Sequence, residues 1–154
     1  MTILTFAAAL GAALVSGIFF AFSTFIMRAL GRLRPAEGIA AMQSINITVI
    51  HPTFLGAFFG TGILSAAVVI STWLRAEEGL ELAILGTVLY IVGCLGVTIA
   101  GNIPLNDRLA KAEPEDAAAH ELWNHYLSRW TLWNTVRTLA SLAAAAVFVA
   151  AATA

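Results

Sequence analysis

The stretch ILTFAAALGAALVSGIFFAFSTFIM, residues 3–27, carries no charged side chain and decides the class of protein. A helix crosses the hydrocarbon core of a bilayer, roughly 30 Å thick, with about 20 predominantly apolar residues. Three further stretches are free of charge: 38–74, 82–106 and 138–154. We therefore predict four membrane-spanning helices with cores at about 3–26, 52–74, 82–102 and 132–152, in a single domain covering residues 1–154.

The composition points to lipid as the main solvent. Charged residues make up 11% of the chain, whereas a soluble domain carries about 25%. The expected fold is an all-α, four-helix transmembrane bundle, with the lipid bilayer as a partner. A net charge of −1 gives no basic field for a nucleic acid. Small residues predict where the helices touch: they are Ala13, Gly17 and Ala21 in the first span and Gly56 and Gly60 in the second.

Lysine and arginine are distributed unequally between the two sides of the predicted spans. Seven lie on one side: Arg28, Arg32, Arg34, Arg108, Lys111, Arg129 and Arg137. Only Arg75 lies on the other side. Cytoplasmic loops carry the excess of positive residues. This bias predicts a plasma (inner) membrane protein with both termini on the outer side and with segments 28–50 and 103–131 in the cytoplasm.

Two helices are expected to extend beyond the cytoplasmic side of the membrane. Pro35 suits the first turn of a helix, and apolar residues follow at helical spacing into the second span, with a kink expected near Pro52. Pro114 and the acidic residues after it predict a second helix start. From there the helical pattern runs unbroken to Ala152. Spans two and four are thus predicted to be the extended ones.

A rise of about 1.5 Å per residue places four polar side chains at one depth. They are Ser23, His51, Asn102 and Asn134, one from each span, at the cytoplasmic edge of the hydrocarbon. Arg137 joins this layer, because the residues after it span only about 26 Å as a helix, less than the membrane core. Two interpretations of Arg137 are open: a snorkelling anchor, or a charge that faces the bundle interior, held by Asn102, Asn106, Asp107 or a bound anion.

Two stripes of polar and aromatic residues lie near this layer. In segment 120–137 the spacing of 3, 4, 4 and 3 residues places one set on a single helix face: Trp123, Tyr126, Trp130, Asn134 and Arg137. Gln43 and Asn46 begin a similar stripe before the second span. The aromatic residues suit either an interfacial belt at headgroup depth or a flat, stacking-lined pocket.

Metal and cofactor motifs are weak. His120 and His125 are five residues apart, whereas a zinc-binding HExxH helix needs four, so no metal site is predicted. No cofactor is predicted, and haem ligation by His51 and His125 is the alternative. His51 has a second interpretation, as a cap of the helix that starts at Pro52.

Four motifs, GIFFAFSTFIM, AMQSIN, GNIPLND and WNHYLSRWTLWNTVR, together resemble the anthrone oxygenase-like family of small integral membrane proteins. The resemblance runs from Gly17 to about Ser141 and implies a four-helix membrane fold. Its matched positions are Gln43, Asn46, Asn102, Pro104, Asn106, Trp130, Asn134 and Arg137. It also implies oxidation of anthrones to anthraquinones with O2, the activity assigned to fungal members in polyketide pathways.

An anthrone is a flat tricycle whose acidic CH2 group gives an electron-rich carbanion that reacts with O2 without a metal or flavin. Such a reaction needs a base, for which we nominate His51. It also needs an oxyanion partner: Arg137 with Asn102 or Asn134. Substrate-binding residues are predicted to be Gln43, Asn46 and Asn106, with Trp123, Tyr126 and Trp130 stacking on the rings.

Two functions are compatible with these residues. The first is a membrane oxidoreductase, a cofactor-independent oxygenase, that acts with O2 on a hydrophobic aromatic or polyketide-like small molecule at the cytoplasmic membrane edge. The alternative is a non-catalytic membrane protein that binds a lipid or protein partner. The residues leave the oligomeric state and the substrate open.

Overall fold

The computed structural model describes residues 2–153, within which there is no β-strand. Helix α1 comprises Thr2–Ala21, a π-helical segment at Phe22–Ile26, and Met27–Leu30. Helices α2, α3 and α5 are Pro35–Thr48, Pro52–Leu74 and Ala117–Thr153. Helix α4 comprises Leu80–Tyr90, two π-helical segments at Ile91–Gly96 and Thr98–Asn102, and Ile103–Ala110.

The predicted all-α architecture with four membrane-spanning helices is confirmed. Helices α1, α3, α4 and α5 are each long and apolar enough to cross a bilayer. Helix α2 is separate from α3, with Val49 to His51 between them, so the chain breaks where a kink near Pro52 was expected. Helix α5 is unbroken, and it begins at Ala117 rather than at Pro114. How far α2 and α5 project from the membrane stays a prediction, and Met1 and Ala154 lie outside the described residues.

Side chains on either side of α2 hold the backbone where α2 begins and where α3 begins. Before α2, the backbone N–H of Arg34 donates to the Glu37 carboxylate at 3.2 Å, and the Arg34 guanidinium donates to the same group at 2.6 Å. These hydrogen bonds lower the pKa of Glu37. After α2, the Thr53 N–H donates to Nδ1 of His51 at 3.3 Å. The imidazole thus caps α3, a role that Pro52 at the first helical position supports.

The four long helices pack in a ring. Helix α5 packs against α1 and α4, and α3 closes the ring by packing against both α1 and α4. Buried apolar residues form two clusters within it. The apolar cluster lies between the four spans and includes Val15, Val68, Tyr90 and Phe148. The aromatic cluster adds α2 and includes Met27, Ile39, Met42, Leu105, Leu109, Trp123, Tyr126 and Trp130.

The predicted small-residue contacts are wrong in detail. A methyl group added at Gly17, Gly56 or Gly60 would meet nothing within 4 Å. The close approaches lie at other glycines: such a group would meet the Thr61 side chain at Gly11 on α1, and on α4 it would come within 2.6 Å of Ala140 Cβ at Gly93 and within 2.7 Å of Trp133 Cγ at Gly101. Small-residue spacing marks a possible contact face, but the rotation of each helix decides which face meets a neighbour.

Helices α1 and α4 are interrupted by π-helical segments, and two of these segments border one cavity. Such segments are rare and occur often at functional sites, because each inserts an extra residue and rotates the helix beyond it. Here the segments Phe22–Ile26 and Thr98–Asn102 both contribute their first residue to the same cavity. The bundle is therefore irregular where that cavity lies.

Candidate functional site

A cavity of about 240 Å³ lies among α1, α2, α3, α4 and α5. This is just below the range of roughly 300–1,000 Å³ that is usual for small-molecule sites. Much of its wall is phenylalanine: Phe19, Phe22, Phe54, Phe58 and Phe59. Its polar and charged residues are Asn46, Thr98, Asn102, Asn106 and Arg137. A small hydrophobic ligand with a polar group suits such a lining.

Arg137 is the charged residue of the cavity and is only 5% exposed. Its Nη1 donates to Thr98 Oγ1 at 3.1 Å and its Nη2 donates to Asn134 Oδ1 at 2.7 Å. The guanidinium carbon lies 4.0 Å from the centre of the Phe19 ring and 5.4 Å from that of Trp130. Cation–π attraction of this kind contributes about 0.5–2 kcal/mol. The guanidinium is thus held on the interior side of α5.

The charge of Arg137 is not neutralised within the described part of the chain. The ion pairs there join Arg34 to Glu37 and Arg75 to Glu77, and no carboxylate pairs with Arg137. Its Nε is buried and has no hydrogen-bond acceptor among residues 2–153. Since an unpaired buried charge is costly, the site is suited to an anion. Of the two interpretations of Arg137, the interior orientation is the one observed.

Two asparagines on α4 present complementary groups to the cavity. Asn102 is 1% exposed; its Nδ2 donates to the Trp130 carbonyl at 3.2 Å, and its Oδ1 is buried without a donor in the described residues. Asn106 Oδ1 accepts from Tyr126 Oη and Trp130 Nε1, both at 2.8 Å. Its oxygen is therefore occupied, and its amide N–H groups are left available. Asn102 thus holds an unsatisfied acceptor beside the cavity, and the Asn106 amide leaves a donor free on the wall.

The cavity has an apolar mouth at the surface of the bundle. Ile50 and Ile103 line the cavity and are 69% and 42% exposed. Together with Asn46 and Asn106 they also line a neighbouring surface groove between α2 and α4. Isoleucine at the rim favours access for a lipophilic molecule.

The structure brings five of the ten predicted site residues to the cavity wall: Asn46, Asn102, Asn106, Trp130 and Arg137. Asn134 lies behind Arg137, and its Nδ2 donates to the Phe19 carbonyl at 2.6 Å and to Ser23 Oγ at 2.7 Å. Gln43 donates to the Leu109 and Ala112 carbonyls at 2.8 and 2.9 Å, which satisfies the end of α4. Neither Asn134 nor Gln43 lines the cavity.

Two aromatic residues of the predicted stacking surface stack on each other instead. The rings of Trp123 and Tyr126 are 5.6 Å apart, and those of Tyr126 and Trp130 are 6.0 Å apart. Trp123 and Tyr126 are fully buried in the aromatic cluster, and only Trp130 reaches the cavity.

The histidines lie apart from the cavity. His51 and His125 are both exposed, and neither lines the wall. His51 follows Ile50 of the mouth directly in the chain. Among residues 2–153, no group of three or more His, Cys, Asp or Glu side chains is placed to hold a metal ion.

Sequence reasoning missed the phenylalanine wall and Thr98. The paired phenylalanines at 19–20 carried a signal, because one member of such a pair usually faces the bundle while the other faces lipid. Phe19 is indeed buried, while Phe20 is more than half exposed. At 58–59 both members line the cavity, Phe58 buried and Phe59 more than half exposed. Thr98 carried no comparable signal, since it starts a π-helical segment whose position the residue pattern did not predict.

Comparison with known proteins identifies a family. A family model described as anthrone oxygenase matches residues 50–147, well over half of the chain and including four of the five polar cavity residues. No curated protein matches the chain, and no solved structure does.

Proposed function

The chain belongs to the anthrone oxygenase family, and from this membership we propose that it is a membrane oxidoreductase acting with O2 on a hydrophobic aromatic or polyketide-like substrate. The observation that carries the proposal is the unneutralised Arg137 guanidinium in a phenylalanine-walled cavity. A charge fixed in such an apolar site acts strongly on charge that develops on a bound substrate. The apolar rings around it suit the rest of an aromatic molecule.

The reaction proposed is the oxidation of an aromatic CH2 group to a carbonyl. Loss of one proton from the CH2 group gives a carbanion whose charge is shared with the carbonyl oxygen on the central ring. The carbanion forms a C–O bond to O2, and the resulting peroxide takes up a proton. Cleavage of the O–O bond, with loss of the second hydrogen of the carbon, gives the carbonyl and one water. O2 is the oxidant throughout, and each substrate consumes one O2.

The residue roles follow from the lining. Arg137 and the amide of Asn106 stabilise the substrate oxyanion, with Asn134 and Thr98 orienting the guanidinium. Asn46, Asn102 and Trp130 contact the substrate, while Trp123, Tyr126 and Gln43 support the wall from behind. His51 is the proton acceptor at the mouth, reached through water, since His51 follows Ile50 of the rim.

The substrate reaches the site from the bilayer. The exposed isoleucines of the mouth match a molecule dissolved in lipid. The distribution of arginine and lysine supports the plasma (inner) membrane, with both termini outside and the mouth near the cytoplasmic edge.

Oxygen uptake by the detergent-purified protein tests the function. We expect consumption of O2 with at least one member of a panel of anthrones and hydroquinones, and a loss of roughly 100-fold in kcat/KM for Arg137→Met, as for other lost oxyanion donors. Arg129→Met, a change at an exposed arginine on the same helix, should leave uptake unchanged. Equal uptake by Arg137→Met and wild type would remove Arg137 from the chemistry.

Two further measurements test the base and the cofactor. His51→Ala should lower the rate and shift its pH profile, and an unchanged profile would exclude His51. An absorbance spectrum of the purified protein tests the cofactor-independent mechanism, and a haem Soret band would overturn it.

The alternative function is a non-catalytic protein that binds a lipid or protein partner. The open, isoleucine-rimmed mouth also fits a lipid chain. Absence of O2 uptake across the whole panel, together with a co-purifying lipid that Arg137→Met releases, would favour it.

A further inference from the structure

We propose that the cavity binds its aromatic ligand as an oxyanion, with the negative oxygen at Arg137, and that the same ligand donates a hydroxyl hydrogen to Asn102 Oδ1. This inference rests on the proposed function for its site and adds the charge state and hydrogen-bonding pattern of the substrate class. It follows from the charge of the wall, from its unpaired polar atoms and from the shape of its aromatic surface.

The charge of the wall is the first observation. Arg137 is the one titratable side chain among the residues that line the cavity. An arginine stays protonated in proteins, so the side chains of the wall carry one positive charge and no base. A ligand that enters with a weakly acidic hydroxyl is held best after its proton has left for water at the mouth. The bound oxyanion then supplies the counter-charge that the described residues do not.

The unpaired polar atoms are the second observation. Arg137 Nε and Asn102 Oδ1 are both buried without a partner in the described chain. Buried polar atoms are nearly always hydrogen-bonded, so each indicates what a ligand should bring. Nε requires an acceptor and Oδ1 requires a donor. A carboxylate on an aliphatic chain, such as a fatty acid, supplies the acceptor but no donor.

The aromatic surface is the third observation. The rings of Phe54 and Phe58 are nearly parallel, with centroids 5.6 Å apart, and Phe19 meets Phe58 edge-on at 6.2 Å. All three rings line the cavity, and an aromatic ligand that contacts them gains the offset or edge-on pairing that a flexible chain lacks. A flat aromatic skeleton with one ionised oxygen and one intact hydroxyl therefore matches all three observations.

Alizarin is a suitable probe for this proposal. It is a flat tricyclic quinone with two hydroxyl groups, one of which ionises first with a visible change of colour, and it has no CH2 group to oxidise. We expect alizarin bound to the detergent-purified protein to show the colour of its ionised form at a pH at which free alizarin is still neutral. 2-Hydroxyanthraquinone, which lacks the second hydroxyl, should bind more weakly, and 2-methoxyanthraquinone, which cannot ionise, more weakly still.

Three variants test the residues. Arg137→Met should abolish the colour change and weaken alizarin binding roughly 10- to 100-fold, as expected for the loss of a charge-assisted hydrogen bond. Asn134→Asp places a carboxylate where Asn134 Oδ1 now lies 2.7 Å from Nη2. It neutralises Arg137 internally, so it should also abolish the colour change. Asn102→Leu should lower alizarin affinity to that of 2-hydroxyanthraquinone while keeping the colour change.

Control measurements separate the outcomes. Arg129→Met should bind alizarin as wild type does, and circular dichroism shows which variants remain folded. Alizarin bound in its neutral colour, or ionised binding retained in a folded Asn134→Asp variant, would overturn the proposal, as would a fatty acid that competes at equal affinity. Alizarin binding without O2 uptake from any anthrone would leave this proposal standing and remove the oxygenase function.

Discussion

Tyr126 shows how a residue outside the cavity orients one on its wall. Its hydroxyl donates to Asn106 Oδ1 at 2.8 Å and accepts from Asn46 Nδ2 at 3.4 Å. Trp130 Nε1 donates to the same oxygen of Asn106. With the oxygen held by two donors, the Asn106 amide can turn only its nitrogen to a ligand. Tyr126 is therefore a positioning residue.

Tyr126→Phe removes one of the two donors to Asn106. We expect a loss of about 1 kcal/mol in the free energy of unfolding, typical of one buried hydrogen bond, and a several-fold rise in KM with kcat less affected. Denaturation in detergent and O2 uptake measure the two effects.

Tyr90→Phe is the matched control. Its hydroxyl donates to the Phe58 carbonyl at 2.9 Å within the apolar cluster, so it should lose similar stability at unchanged KM. A KM that rises equally in both variants would show a general loosening of the bundle instead.

The sequence predicted which residues of α5 face inward but not what they meet. Arg137 was placed inside the membrane boundary by helix length alone, and the whole stripe from Trp123 to Arg137 is buried. The partners of Arg137 differ from the expected Asn102, Asn106 and Asp107, because Thr98 and Asn134 hold it. Helical spacing determines which residues share a face of α5. The π-helical segments of α4 determine which α4 residue lies opposite that face.

Helices α4 and α5 pack closely against each other beside the cavity. Gly101 lies in the second π-helical segment of α4, next to Asn102, and faces the Trp133 ring. A side chain at this position would separate the two helices that carry the polar residues of the cavity.

Gly101→Ala tests this contact. The added methyl would lie 2.7 Å from Trp133 Cγ, so we expect a loss of about 1–3 kcal/mol in the free energy of unfolding, as for other overpacked cores. Gly60→Ala, where the added methyl meets nothing, should be neutral or stabilising, because alanine favours helix by up to about 1 kcal/mol. Equal thermal stability of the two variants would contradict the packing described.

At the level of elements, charge-free length predicted the four spans well, while helix ends followed local chemistry. Helix α4 continues to Ala110, past the predicted core at 82–102, and Pro104 lies at the start of its last α-helical section, a position that tolerates proline. Gly31 and Pro35 separate α1 from α2 much as their residue types suggest. The wrong glycine contacts show that spacing alone does not determine helix rotation.

The whole molecule has two ends of different charge. The loop between α3 and α4 carries Arg75 beside Glu77 and Glu78, and Glu81 follows in the first turn of α4. Six of the eight basic residues lie at the opposite end, and Arg137 lies inside the bundle. Within a bilayer this asymmetry predicts one orientation.

Cysteine labelling in intact cells measures that orientation. Cys94 is fully buried, so the wild-type chain should not react with a membrane-impermeant maleimide. Glu78→Cys should react in intact cells and Glu113→Cys only after permeabilisation, since both positions are exposed but lie at opposite ends. The reverse pattern would place the mouth of the cavity near the outer surface.

Met42 lines the cavity and is fully buried, and its side chain carries a thioether sulfur. A thioether takes up oxygen from peroxides to form a sulfoxide. Peroxide that escaped during the proposed oxidation would therefore leave a lasting chemical trace beside the site. The mass of the peptide containing Met42, compared before and after exposure to substrate and air, would report on how tightly the protein confines its own intermediates.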